Sequence, residues 1–244
     1  MSGSSVTEFP RPPLHGYRGE APTPPPAARP LGLSVAVSRE AGARGWTVAR
    51  KVGELLGWQF YDTETLDYLV QDDTARGRLL AEVPDAAREW AAGRLAYLRV
   101  KHGLTADPDT TAMIELVLAV AARGDAVIVG RGAGFLLPAE TTVHVRVVAP
   151  LEARVAYFAQ SLRLTREEAL AEVRARDDRR AQFLQATIGR DPADLSAYDA
   201  AVNADRLGVE GAAQFIQWAV RTKQMFAEIK AADEATGLGE TPET

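Results

Sequence analysis

Three short runs rich in valine constrain this chain more than anything else in it: Leu33 to Val37 (LSVAV), Ala126 to Gly130 (AVIVG) and Val143 to Ala149 (VHVRVVA). A strand that is apolar at nearly every position must be covered on both faces, and crossover helices do that for a parallel sheet. Helical stretches lie between the runs. They are Thr47 to Leu56 closed by Gly57, Ala86 to Val100 and Thr111 to Ala122 with i, i+3, i+4 apolar spacing, Leu151 to Ser161, Thr165 to Arg176, and Val209 to about Lys230. Thr165 with Glu168 three residues on has the spacing of a capping box. Trp58 to Tyr61 reads as a short second strand and Asp199 to Asn203 as a weaker fifth. The expected fold class is therefore α/β, a doubly wound five-stranded parallel sheet flanked by helices. Ligands in such sheets sit beyond the carboxyl ends of the strands, so the residues just after Val37, Tyr61, Val129 and Ala149 carry the chemical interest.

The rest of the composition bounds what that domain can be. Residues 1–31 hold eight of the fourteen prolines, including Pro24-Pro25-Pro26, and are expected to form a disordered, polyproline-like tail. The folded unit is placed at 32–232, with a frayed tail over 233–244. No apolar run approaches the ~20 residues a membrane helix needs, and no apolar leader opens the chain, so a cytoplasmic protein without a membrane partner is expected. The absence of cysteine excludes disulfides, Cys-ligated zinc and thiol catalysis. Against 33 acidic residues stand 28 basic ones, a net charge of −5 that argues against a nucleic-acid partner. His15, His102 and His144 have no metal-ligand spacing, and His144 reads as a structural histidine in a strand.

After the first run comes SREAGARGWTVARK, Ser38 to Lys51. Gly42 and Gly45 lie in a turn leading into a helix, where backbone N–H groups and the helix N-terminus can receive a phosphate. The full pattern G-x-x-x-x-G-K-[ST] is not met. With Thr47 at the hydroxyl position and Gly45 in place, Trp46 stands for the lysine and Glu40 for the first glycine.

The wider segment, SREAGARGWTVARKVGELLGWQFYD from Ser38 to Asp62, resembles the opening of the cytidylate kinase-like family of P-loop nucleoside monophosphate kinases. Ser38, Arg39, Gly42, Gly45, Ala49, Leu56, Gly57, Phe60, Tyr61 and Asp62 fall in register with it. VIVGRGAGFLL (Val127 to Leu137), APLEARV (Ala149 to Val155), DDRRAQF (Asp177 to Phe183) and YDAAVNADRLGVEGA (Tyr198 to Ala212) continue the resemblance in order. It implies a P-loop kinase fold with a helical nucleotide-binding insertion at about 63–124 and a lid at about 164–190, using ATP and Mg²⁺ on a small nucleotide, CMP or dCMP foremost.

Carried over to this chain, the resemblance implies a phosphate cradle of Gly42, Ala43, Arg44 and Gly45, flanked by Ser38, Arg39, Trp46 and Thr47. Thr47 or Ser38 would bring a hydroxyl towards Mg²⁺. Asp62 would approach the acceptor nucleotide, with helix N-capping as its competing role. Arg131 would hold the acceptor's phosphate or base, and Arg176, Arg179 and Arg180 would be lid arginines that fork onto phosphate oxygens, alongside Arg174 and Arg190. Two departures stand out. True cytidylate kinases carry a lysine where counting back from Leu56-Gly57 gives Gly45, and an aspartate where this chain has Gly132. Arg44 is then expected to supply the missing cation. The alternatives are a nucleotide-binding module without catalysis and a kinase for a non-nucleotide metabolite. Trp46 and Trp58 either stack on a base or pack in the core.

Overall fold

The computed structural model describes residues 30–103 and 107–236; most of the expected tails, 1–31 and 233–244, lies outside the described residues, and the last helix runs on to Thr236, four residues into the second of them. Five parallel strands, β1 (Ser34–Arg39), β2 (Gln59–Tyr61), β3 (Ala126–Val129), β4 (Thr142–Val148) and β5 (Ala200–Asn203), form one sheet in the order β2-β3-β1-β4-β5. Register is continuous through the centre: Val35 pairs with Val127 on one side and Val143 on the other. Because successive strand residues face opposite sides, Val35 and Val37 enter one core and Ala36 the other.

On the first face, valines of β1, β3 and β4 pack against α1 (Gly45–Leu56) and the last helix, α9 (Ala204–Thr236), through Val48, Val52, Ile216 and Val220. Each such fully buried side chain contributes about 1.5–3 kcal/mol relative to exposure. On the second face lie the helices between β2 and β3: α2 (Thr63–Gln71), α3 (Asp73–Ala81), α4 (Asp85–His102) and α5 (Pro108–Arg123). Leu66, Trp90, Leu98, Leu116 and Val117 cover Ala36 and Ile128 there. A short α6 (Ala133–Leu136) follows β3, and α7 (Leu151–Leu162) and α8 (Arg166–Ile188) connect β4 to β5.

Helix ends follow the side chains that flank them. Asp62, Asp72 and Asp107 cap α2, α3 and α5, accepting from the backbone N–H of Thr65, Ala75 and Thr110. Thr165 and Glu168 form the expected reciprocal capping box on α8. That helix runs twelve residues past Arg176, so the segment expected to be a lid is an α7–α8 hairpin. Its satellite core of Val155, Phe158, Ala169 and Val173 also includes Ala41 of the turn after β1. The last helix begins at Ala204, earlier than the sequence pattern suggests, and breaks at Gly208, whose φ of 68° is left-handed.

Candidate functional site

β1 lies between β3 and β4, so chains leaving its carboxyl end part to either side of a crevice. A cavity of about 470 Å³ opens there. Its lining includes Ser38 and Arg39 from β1, Thr63 from α2, Arg131 after β3, Arg146 from β4, and Arg176, Arg179, Arg180 and Phe183 from α8. Six arginines thus face one space whose lining has Glu64 as its acid. The surrounding carboxylates hold the guanidinium groups in place: Asp67 pairs with Arg131, Glu172 with Arg176 and Arg179, and Asp177 with Arg180.

The turn between β3 and α6 presents Arg131. Gly130, Arg131 and Gly132 have φ of 83°, 52° and 68°, three consecutive left-handed residues of which only the arginine pays a steric cost for its Cβ. A Cβ on Gly130 would lie 2.5 Å from Arg39 Nη1, and one on Gly132 would lie 2.5 Å from Ile188 Cδ1 and 3.0 Å from Leu184 Cδ2. The end of α8 therefore fills the space an aspartate at 132 would take. Arg131 Nε is buried without a hydrogen-bond partner, an open donor at the cavity wall. Arg131 and Phe183 also border a second cavity of about 230 Å³ between α2, α5 and α8, lined with Asp67, Gln71, Asp109 and Thr110 among others.

Ser38 and His144 show how a strand residue acquires a fixed role. His144 Nδ1 lies 2.8 Å from the Ala197 carbonyl, which can only accept, so the ring proton sits on Nδ1 and Nε2 is an acceptor. Ser38 Oγ, 3.0 Å from Nε2, then donates its proton to the ring and keeps its lone pairs for the cavity it lines. Burial brings the His144 pKa down to about 4, so the ring stays neutral.

The glycine turn is bound to the hairpin on its outer side. Gly42 has a φ of 79°, and a Cβ there would lie 2.6 Å from the Arg154 carbonyl oxygen, so the turn rests directly on α7. Ala41 donates its N–H to Asp177 Oδ1 at 2.7 Å, while Asp177 Oδ2 accepts from Arg154 Nη1 at 2.6 Å. Glu40 takes Arg154 and Arg146 from the other side. The N-terminus of α1 has neither a side-chain cap nor an acidic residue in its first turn. Its leading N–H groups and dipole are thereby left to an anion.

The expected site residues divide among these places. Ser38, Arg39, Arg131, Arg176, Arg179 and Arg180 meet in the large cavity. Gly42, Ala43 and Arg44 line a smaller cavity of about 100 Å³ on the far side of the turn, with Ala149, Ala153, Asp205 and Gly208. Arg44 is left-handed (φ 57°), and its guanidinium lies 5.0 Å from the centre of the Tyr157 ring, outside the arginine-lined space. Gly45 is buried beneath Arg39, and Thr47 is exposed on α1. Trp46 packs edge-on to Phe60 and donates Nε1–H to Asp62 at 2.8 Å. Asp62 caps α2 with its other oxygen, so both of its oxygens are engaged. Burial pushes that carboxyl up, but the hydrogen bonds from Trp46 and Thr65 outweigh it and hold the group below its ordinary range. Trp58 packs against the first core.

Sequence reasoning missed Arg146, Arg154, Asp67 and Asp177. A charged residue inside the valine run of β4 was the available signal for Arg146. Asp177 opens the DDRRAQF block of the resemblance, but beside Asp178 nothing local said which of the two acids turns towards Ala41 and Arg154.

A crevice lined with cations at the switch point of a five-stranded parallel sheet, beside a glycine turn that opens a helix, defines the P-loop kinase class of α/β domain. A model of the cytidylate kinase-like family matches residues 34–206, and the chain belongs to that family. It is 27% identical over 184 residues to a cytidylate kinase of Ignicoccus hospitalis, covering 75% of this chain and 96% of that protein. Among solved structures, an uncharacterized protein from Eubacterium ventriosum superposes with a TM-score of 0.54 at 20% identity, over 78% of this chain and 98% of that one. That last likeness speaks to the fold alone. Among the described residues no helix is long and apolar enough to cross a membrane.

Proposed function

We propose that the protein is an ATP-dependent nucleotide kinase that transfers the γ-phosphoryl group to a nucleoside monophosphate, CMP or dCMP foremost. The observation that carries this reading is the cavity into which six arginines converge at the carboxyl end of β1. Phosphoryl transfer asks for positioning and charge neutralisation more than for covalent chemistry, and guanidinium forks supply both. In this reading the donor's phosphates rest on the turn from Gly42 to Gly45 and the N-terminus of α1, with its nucleoside on the Arg44 side. The acceptor phosphate lies against Arg131, and its base extends towards Asp67 and Gln71. Residues 63–124 then serve as the acceptor-binding insertion, and the α7–α8 hairpin as the lid.

Mg²⁺ would arrive with the donor, because no group of three or more His, Asp or Glu side chains is placed to hold a metal among the described residues. The donor set that fits is hydroxyl oxygen. Ser38 Oγ has its proton committed to His144 and its lone pairs free, and Thr47 is exposed at the start of α1. When bound, the ion would screen charge between the donor phosphates.

A coupled ADP-release assay over a panel of nucleoside monophosphates and small hydroxyl metabolites tests the reading. Turnover with cytidine nucleotides is expected, and no turnover with any acceptor from folded protein would refute it. The absence of lysine from the turn favours one alternative, a nucleotide-binding module without catalysis. Thermal stabilisation by ATP in the same inactive preparation would support that alternative.

A further inference from the structure

The turn that should neutralise the donor phosphates carries no lysine, and Arg44 is directed onto Tyr157. The position is nonetheless filled. A Cβ built on Gly45 would lie 2.5 Å from Arg39 Cβ, 3.1 Å from Cγ and 3.3 Å from Cδ, so the aliphatic stem of Arg39 lies across the glycine. Beyond the stem, the guanidinium group passes Gly130, where a Cβ would again be 2.5 Å away. Its Nη2 donates to Thr63 Oγ1 at 3.2 Å, and Thr63 in turn donates to the Val129 carbonyl at 3.3 Å. Two glycines in separate turns therefore make room for one side chain, and a hydroxyl fixes its rotamer.

The charge on that side chain is unanswered. Among the described residues no carboxylate comes within 4.0 Å of Arg39, while the cavity it lines also holds Arg131 and Arg180. Burial first, then these two neighbours, bring its pKa down to about 10, with Asp62 acting weakly the other way. A half-buried cation facing other cations without a paired carboxylate is costly to keep, and an anionic ligand with several charges lowers that cost.

We propose that Arg39 is the catalytic cation of this site, supplied by the strand before the turn in place of a lysine within it. Its guanidinium group touches the transferring phosphoryl group and the acceptor phosphate together. The inference takes its ligand from the kinase reading above. In the step it serves, the bond between the γ-phosphorus and the β–γ bridging oxygen breaks, and its electron pair stays on ADP. An acceptor phosphate oxygen forms the new bond with its own lone pair. Arg39 transfers no proton; its fork holds two anionic groups whose repulsion would otherwise keep them apart.

The test uses Arg39→Met, Arg39→Lys and Gly45→Ala in the full chain, with three readouts: steady-state turnover, calorimetric affinity for ATP and inorganic tripolyphosphate, and melting temperature with and without tripolyphosphate. For Arg39→Met, kcat is expected to fall by roughly 10²-fold or more, in line with loss of a charge-stabilising donor. ATP affinity should fall at least about tenfold, a loss of one charge-assisted contact. The ligand-free melting temperature should hold or rise, because a repelled cation has been removed; a merely structural arginine would lower it. Arg39→Lys should recover part of the turnover, and Gly45→Ala, which displaces the stem, should lose part of it. Turnover and tripolyphosphate affinity of Arg39→Met within about threefold of wild type would overturn the proposal. Should that variant not fold, wild-type kinetics in both other variants would overturn it equally. If the wild-type protein binds polyphosphate but transfers nothing, the kinase reading fails and takes the catalytic role of Arg39 with it, and the affinity change decides only whether Arg39 holds the anion. Wild-type protein that binds no polyphosphate refutes both.

Discussion

Replacing Asp177 with asparagine keeps the size of the side chain on α8 but removes the charge on which three donors converge. Oδ1 accepts from the Ala41 N–H at 2.7 Å and lies 3.4 Å from Arg180 Nη1, while Oδ2 lies 2.6 Å from Arg154 Nη1. The Arg154 side chain is only 11% exposed, so it depends on its partners, of which Glu40 at 3.5 Å would remain. Breaking a fully buried pair costs about 3–5 kcal/mol, and a hydrogen bond to a charged group is worth about 1.5–3 kcal/mol. Asp177 is itself 32% exposed and Arg154 keeps Glu40, which places the asparagine variant near the lower figure, about 2 kcal/mol. Alanine also strands the Ala41 N–H at a buried residue and adds about 1 kcal/mol. Urea unfolding measures both, and for a domain of this size 2 kcal/mol corresponds to a melting-temperature drop of about 4–8 °C. A double-mutant cycle with Arg154→Met isolates the pair, with an expected coupling of about 1–2 kcal/mol. An asparagine variant within about 0.5 kcal/mol of wild type, or additive double mutants, would refute the claim that this carboxylate ties the turn to the hairpin.

His144 gives a pH signature. Its folded pKa of about 4 lies below the ordinary 6.5, so its contribution to stability is complete above pH 6.5 and is lost as pH falls towards 4. At about 1.4 kcal/mol per unit, the gap in unfolding free energy between wild type and His144→Gln should narrow by about 3 kcal/mol between pH 7 and pH 4, and a constant gap would refute the assignment of a buried neutral ring. Gly42→Ala puts a Cβ against the Arg154 carbonyl at a left-handed position, and should cost about 2 kcal/mol or more in urea unfolding. Asp67→Ala frees the Arg131 guanidinium from its partner, and should raise KM for the acceptor nucleotide about tenfold while leaving KM for ATP unchanged in the coupled assay.

The parts of this structure that were legible in the sequence are those written in local chemistry. Valine runs declare buried parallel strands, Thr165 with Glu168 declares a helix start, and Gly57 a helix end, because each signal acts over a few residues of contiguous chain. The reach of α8 was not legible in the same way. From Arg174 to Arg180 it carries charge on every face, and its apolar anchors Leu184 and Ile188 show their purpose only once Gly132 is beside them. Arg176, Arg179 and Arg180 were assigned to a common lid by the family resemblance; they share one face because α8 continues past Arg176, which sets them at spacings of three and four on one helix.

Arg39 and Arg44 show where such reasoning stops. They lie five positions apart, Arg39 at the end of β1 and Arg44 in the glycine turn that follows, and composition favours the one inside the turn. The backbone decides otherwise. The left-handed conformation at Arg44 turns its side chain outward to the Tyr157 ring, whereas Arg39 ends a parallel strand and projects from the sheet's carboxyl edge into the cavity. Gly45 then reads less as the site of a lost lysine than as the floor on which another strand residue lies. A lysine put back at Gly45 would meet the Arg39 stem before it met a phosphate, so Gly45→Lys should lower turnover rather than raise it. Increased turnover in Gly45→Lys would show that the turn still has room for its own cation and that Arg39 merely packs against it.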